Sequence, residues 1–220
     1  MRKAMVLGVL GLAGTLAAPA FADEFSGWRL TGTIGQESTD SKLTYTPFSA
    51  ESRADTDRFV YGFGTGWALN RYLAFEVGLR GGTNFNADHF QSRMAATPEN
   101  FISSSTELFG VEGSVIGAVW LNPHISFYGR LGGFGYDATQ GLSVGNVATD
   151  TRPYSKVTTK VDKRGFSPLY GVGFQSQLDG ALVRFEYRMS EFGDISSPGL
   201  FSMHDNKLSS FDFGIVWILH

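Results

Sequence analysis

The sequence predicts an all-β chain, eight antiparallel strands closed into an up-and-down barrel. Three observations carry this. The last segment, Phe211-Asp212-Phe213-Gly214-Ile215-Val216-Trp217-Ile218-Leu219-His220, puts a large apolar side chain at every odd position through Leu219, the two-residue period of a strand with one apolar face. After an N-terminal leader, no uncharged apolar run approaches the ~20 residues that a helix needs to cross hydrocarbon, although aromatics make up 14% of the chain. The apolar residues are instead dispersed at alternate positions, as expected where strands face lipid outside and polar groups inside. The expected fold is therefore an eight-stranded antiparallel transmembrane β-barrel with short periplasmic turns and four long extracellular loops.

In chain order, the leader comes first. Met1-Arg2-Lys3 gives a positive start, 4–18 is apolar or small, and Ala20-Phe21-Ala22 has the small-x-small form read by a signal peptidase. The expectation is a signal peptide over 1–22, a mature chain beginning at Asp23, and one outer-membrane β-barrel domain over 23–220. Loss of Arg2 and Lys3 takes the formal net charge from −3 to −5, which argues against nucleic acid as a partner. There is no cysteine, so neither a disulfide framework nor a thiolate metal site is available. No cofactor, no metal site and no catalytic residue is assigned.

Alternation marks strands at 27–36, 58–69, 72–81, 107–120, 125–136, 166–178, 181–192 and 208–219. Three connections are tight and carry turn residues: Asn70, Asn122 with Pro123, and Asp179-Gly180. The others, 37–57, 82–106, 137–165 and 193–207, read as long polar loops. Short turns on one side and long loops on the other are the layout of an outer-membrane barrel inserted from the periplasm. Trp28, Trp67, Trp120 and Trp217 all fall near a short turn or a terminus, which suggests an interfacial aromatic girdle, with Trp120 out of phase with Val115 and Val119.

The register opposite the apolar one collects most of the strand charges: Arg29, Glu76, Arg80, Glu112, Arg130, Arg184, Glu186, Arg188 and Asp212. Arg on the lipid face costs about 2–4 kcal/mol near the midplane, so these groups are expected to face the lumen and to pair there in a salt-bridge network. Gly62, Gly64, Gly66, Gly171 and Gly173 share that register and make room for long side chains. No helix or P-loop lysine follows the Gly-x-Gly run, which sets aside a phosphate cradle.

The ladders Leu182-Val183-Arg184-Phe185-Glu186-Tyr187-Arg188 and Phe211-Asp212-Phe213-Gly214, the strand layout and the aromatic-rich last strand resemble the OmpA-like eight-stranded outer-membrane barrel superfamily, which includes opacity-type small surface proteins. The resemblance implies a Gram-negative cell-surface protein, inserted by the barrel assembly machinery and surrounded by outer-membrane lipid and lipopolysaccharide. Members commonly end on an aromatic residue, whereas this chain ends Leu219-His220; with nothing after His220, tethering to the cell wall is not implied.

The expected function is a non-enzymatic surface barrel presenting its loops for binding an extracellular ligand or for envelope integrity. Arg152, Lys156, Lys160, Lys163 and Arg164 form a basic stretch suited to lipopolysaccharide phosphates, or to simple solvation. Two alternatives stand beside it. One is a lipid A-modifying acyl hydrolase or transferase, for which His204 with Ser202 and Asp205 is the best cluster, though it reads as loop sequence. The other is a small gated, porin-like pore, limited by an eight-stranded bore that side chains can fill.

Overall fold

The computed structural model describes residues 25–45, 50–91, 100–146, 155–199 and 201–219. The expected signal peptide, 1–22, lies outside them, as do Arg152 and His220. Ten strands follow one another: β1 (Gly27–Tyr45), β2 (Ala50–Ala68), β3 (Leu73–Gly82), β4 (Phe85–Gln91), β5 (Asn100–Trp120), β6 (Ile125–Asn146), β7 (Ser155–Leu178), β8 (Ala181–Phe192), β9 (Ile195–Ser197) and β10 (Phe201–Leu219). All pairings are antiparallel, in the order β1-β2-β3-β5-β6-β7-β8-β10. β10 also pairs with β1, from Trp28↔Leu219 to Tyr45↔Phe201, which closes a ring of eight. The short β4 and β9 pair with β5 and β10, outside that ring. Closure leaves the membrane-spanning wall without an open edge.

The short turns form as their residues suggest. Asn70 Oδ1 accepts from the amides of Tyr72 (2.8 Å) and Leu73 (3.0 Å), and Asn122 Oδ1 accepts from those of His124 and Ile125 (both 2.8 Å). In each case a side-chain carbonyl takes the place of a missing backbone acceptor. Asp179 and Gly180 both have positive φ (35° and 83°), the two-residue turn whose twist matches the flanking strands.

The other connections differ from expectation. The segments 37–57, 82–106, 137–165 and 193–207 are largely strand: β1 and β2 stay paired to Tyr45↔Ala50, and β6 and β7 to Asn146↔Ser155. Above the membrane the outward face meets water, so both faces turn polar. Glu37, Thr39 and Ser41 then alternate with Gln36, Ser38 and Asp40, and the hydrophobic period vanishes while the backbone ladder continues. A register shift between Asp40 and Lys42, with Asp205 at φ 55°, places Phe201 and Met203 inside rather than their even-numbered neighbours.

The outer face is apolar and bare: Phe63, Phe75, Val172, Phe185 and Phe211 are all exposed, Phe211 to 71%. The interior is filled in three storeys. At the short-turn end, Phe25, Leu182 and Val216 pack with Trp120 and Ile218 to form a floor. Charged groups occupy the middle. At the far end a cluster that includes Leu43, Leu108, Phe134, Phe192, Phe201 and Met203 forms a roof. This roof was not expected, because it is built from segments whose sequence reads as loops.

Candidate functional site: the charged lumen

Every charged residue expected in the lumen is buried or nearly so and faces inward. Eight of the nine join one chain of ion pairs, and two further residues extend it. At the roof end, Arg58 holds Glu37 (Nη2–Oε2 2.5 Å). Arg80 bridges Glu37 (3.3 Å) to Asp212 (2.9 Å) and donates to Ser210 Oγ (2.9 Å). Arg188 joins Asp212 (2.9 Å) to Glu112 (2.9 Å) and Glu186 (3.2 Å). Arg130 continues from Glu186 (2.6 Å) to Glu76 (3.1 Å), and Arg184 ends the run on Glu76 (2.6 Å). The remaining expected residue, Arg29, reaches the floor instead, where Nη2 donates to the Phe25 carbonyl (2.9 Å).

Five guanidinium groups thus alternate with five carboxylates, and the run is formally neutral. Charges removed from water cost several kcal/mol each unless paired; every member of the run has an opposite charge beside it, and Arg184 Nη2 and Arg188 Nε are the network donors left without a hydrogen-bond acceptor among the described residues. Neutral groups complete it: Tyr128 OH donates to Glu186 (3.1 Å), Ser114 Oγ accepts from Arg130 (2.6 Å) and Gln175 Oε1 accepts from Arg184 (2.9 Å). The inward glycines make room for the neighbouring strand's backbone and, at two positions, for carboxylate side chains. A Cβ on Gly171 would run into Glu186 Oε1, and one on Gly66 would lie 2.8 Å from Glu76 Cγ. Two voids beside the network measure about 10 Å³ each, room for about a single water.

Glu37 and Arg58 are the functional residues that sequence reading missed. Their signal was present: Glu37 continues the odd-numbered register of Arg29, and Arg58 the even-numbered register of Gly62. Of the tryptophans, Trp28, Trp67 and Trp217 lie on the outer face near the short turns, 55%, 41% and 46% exposed. Trp120 departs from the girdle. It lies in the inward register of β5, packs at a tilt against Phe25 (4.8 Å between centroids) and donates through Nε1 to the Arg71 carbonyl (2.7 Å), because an indole partly buried at the floor needs an acceptor for its N–H.

The basic stretch is strand, not loop. Lys156, Lys160 and Arg164 share the outer face of the β6–β7 hairpin, Arg164 bound to Asp137 (2.8 Å), while Lys163 points the other way and donates to the Asp194 carbonyl (2.5 Å). His204 likewise lies on a strand, β10, and its acid partner is Asp194 rather than Asp205, which binds Lys42 (2.8 Å). Among the described residues, no cluster of His, Asp and Glu is placed to hold a metal ion.

A closed ring of alternating strands, apolar outside and charged within, defines a small membrane barrel. Residues 8–217 match the model of the outer membrane protein beta-barrel domain, and the chain belongs to that family; it resides in the bacterial outer membrane, among its lipid and lipopolysaccharide. Among solved structures it is similar to outer membrane protein AlkL in lipid bilayers (TM-score 0.55, 10% identity, 92% of this chain and 94% of that one). It is also similar to Neisserial surface protein A (TM-score 0.52, 11% identity, 88% and 98%). At these identities the likeness is one of fold. No curated protein sequence matches the chain.

Proposed function

We propose that the barrel is a sealed, rigid mount. It holds its strand-built extensions above the outer membrane, where they contact lipopolysaccharide or a ligand outside the cell. The observation that carries this reading is the interior of the described residues, packed at the floor and at the roof with the charge network between them, and the two voids beside that network measure about 10 Å³ each. In this reading the salt-bridge network is a plug, and its carboxylates and arginines are occupied with one another rather than with a substrate. The leader over 1–22 directs export and is removed, after which the barrel assembly machinery inserts the chain.

The outer face of the β6–β7 hairpin is the part best suited to lipopolysaccharide. Lys156, Lys160 and Arg164 stand in one row that rises along β7 from the exposed Phe166, so the row leads away from the hydrocarbon into the region of anionic lipopolysaccharide groups. Binding of purified lipopolysaccharide to the barrel in lipid nanodiscs tests this. Lys156→Glu with Lys160→Glu should weaken it about 30-fold, on the scale of roughly 1 kcal/mol per basic residue at an anionic surface. Unchanged affinity would assign those lysines to solvation.

A further inference from the structure

We propose that the rim of the barrel carries a Ser202–His204–Asp194 relay able to cleave a carboxylic ester, an inference that goes beyond the mount reading and does not depend on it. Ser202 and His204 are two residues apart on β10 and so lie on one face, with Ser202 Oγ 2.7 Å from His204 Nε2. On the other side of the ring, His204 Nδ1 is 3.0 Å from Asp194 Oδ2. The order of contacts matters. A carboxylate at Nδ1 holds the proton there and leaves Nε2 as the acceptor that faces the hydroxyl, the arrangement that turns serine into a nucleophile.

The three residues are held by the fold. Phe201 and Met203, on either side of Ser202, are sunk in the roof. The turn that carries Asp194 is pinned through its backbone: the Gly193 amide donates to Tyr136 OH (2.6 Å), and Lys163 donates to the Asp194 carbonyl (2.5 Å). Ser202 also sits in a row of hydroxyls. Its partners across the ladder are Thr44 on β1 and Ser196 on β9, on the same face and with Cβ atoms about 4.5–5.5 Å away. These hydroxyls are the donors available to an oxyanion forming at Ser202.

The chemistry balances within these residues. Ser202 Oγ bonds to the ester carbonyl carbon as its proton passes to His204 Nε2. The tetrahedral intermediate then expels the alcohol, which takes that proton. Water repeats the sequence on the acyl-serine, releasing the acid and restoring the hydroxyl. Position restricts the substrate. Ser202 is nine residues beyond Phe211 on β10, which at ~3.3 Å per residue and a ~40° tilt is about 20 Å above that lipid-facing ring. The ester must therefore be presented above the hydrocarbon, not at the acyl chains of the bilayer.

The full chain, folded in detergent micelles, should react with a fluorophosphonate probe, and mass spectrometry should place the adduct on Ser202. Ser202→Ala should abolish labelling, His204→Gln should slow it about 100-fold, and Asp194→Asn about tenfold, with each variant's folding checked by its gel shift on heating. The protein should turn over water-soluble p-nitrophenyl acetate, and Thr44→Val or Ser196→Ala should reduce that turnover. Vesicles of phosphatidylglycerol should remain intact. Wild-type labelling no faster than that of Ser202→Ala, or His204→Gln labelling at the wild-type rate, would overturn the relay. Hydrolysis of the vesicle lipid would overturn the placement of the substrate.

Discussion

Glu186 is the residue on which the lumen turns. It accepts from Arg130, Arg188 and Tyr128, whereas Glu112 pairs with Arg188 and its side chain is 14% exposed. Glu186→Gln should therefore leave two buried guanidinium groups short of charge and lower stability by about 3–5 kcal/mol, the range for breaking a buried pair. Glu112→Gln should cost less, because Arg188 keeps Glu186 and Asp212. Urea unfolding in lipid vesicles, followed by tryptophan fluorescence, measures both; equal losses would show that the network does not act as a chain. Gly171→Ala should act on the same group, since its methyl would occupy the place of Glu186 Oε1. It should destabilise by about 1–3 kcal/mol, the usual cost of overpacking.

At the scale of the element, a strand's two faces and its turns respond to different solvents. Phe185 stacks against Phe174 (4.9 Å) and packs edge-on to Phe213 (5.1 Å) on the lipid face. Phe185→Arg should cost about 2–4 kcal/mol of insertion, and Phe185→Leu much less, as read from the folded fraction on cold gels. Gly180→Ala, at φ 83°, should cost about 1–2 kcal/mol because a Cβ is strained in that region. These elements were legible in the sequence because hydrocarbon enforces alternation: the short-turn ends of the strands, the Asn and Asp-Gly turns and the inward arginines all follow from it. Legibility ended where hydrocarbon ends. Beyond Gln36 on β1, and from Ser155 to Gly165 on β7, nothing apolar is required on the outward face, so the pattern lapses although the pairing runs on. The roof was hidden for the same reason, and the partnership of His204 with Asp194 was hidden because it depends on where β9 folds back, not on neighbouring positions in the chain.

For the whole molecule, a filled interior predicts silence in a planar bilayer. The wild-type barrel should show no steady conductance, and Glu186→Gln alone should leave it closed, because floor and roof remain on either side of the loosened network. Opening should require changes at more than one storey, for example Glu186→Gln with Phe134→Ala and Phe201→Ala. Steady channels in the wild type would refute the sealed mount.

The closing pair of strands has a consequence in time. Trp28 meets Leu219, so the ring is completed by residues almost the full length of the chain apart, while every other seam of the ring joins strands that are near neighbours in sequence. Such a contact must overcome the largest loop entropy in the molecule and gives no return until the last strand is in place. Folding is thus gated by the arrival of the C-terminal strand. Until then β1 offers a bare edge, with a row of backbone groups still waiting for their partners.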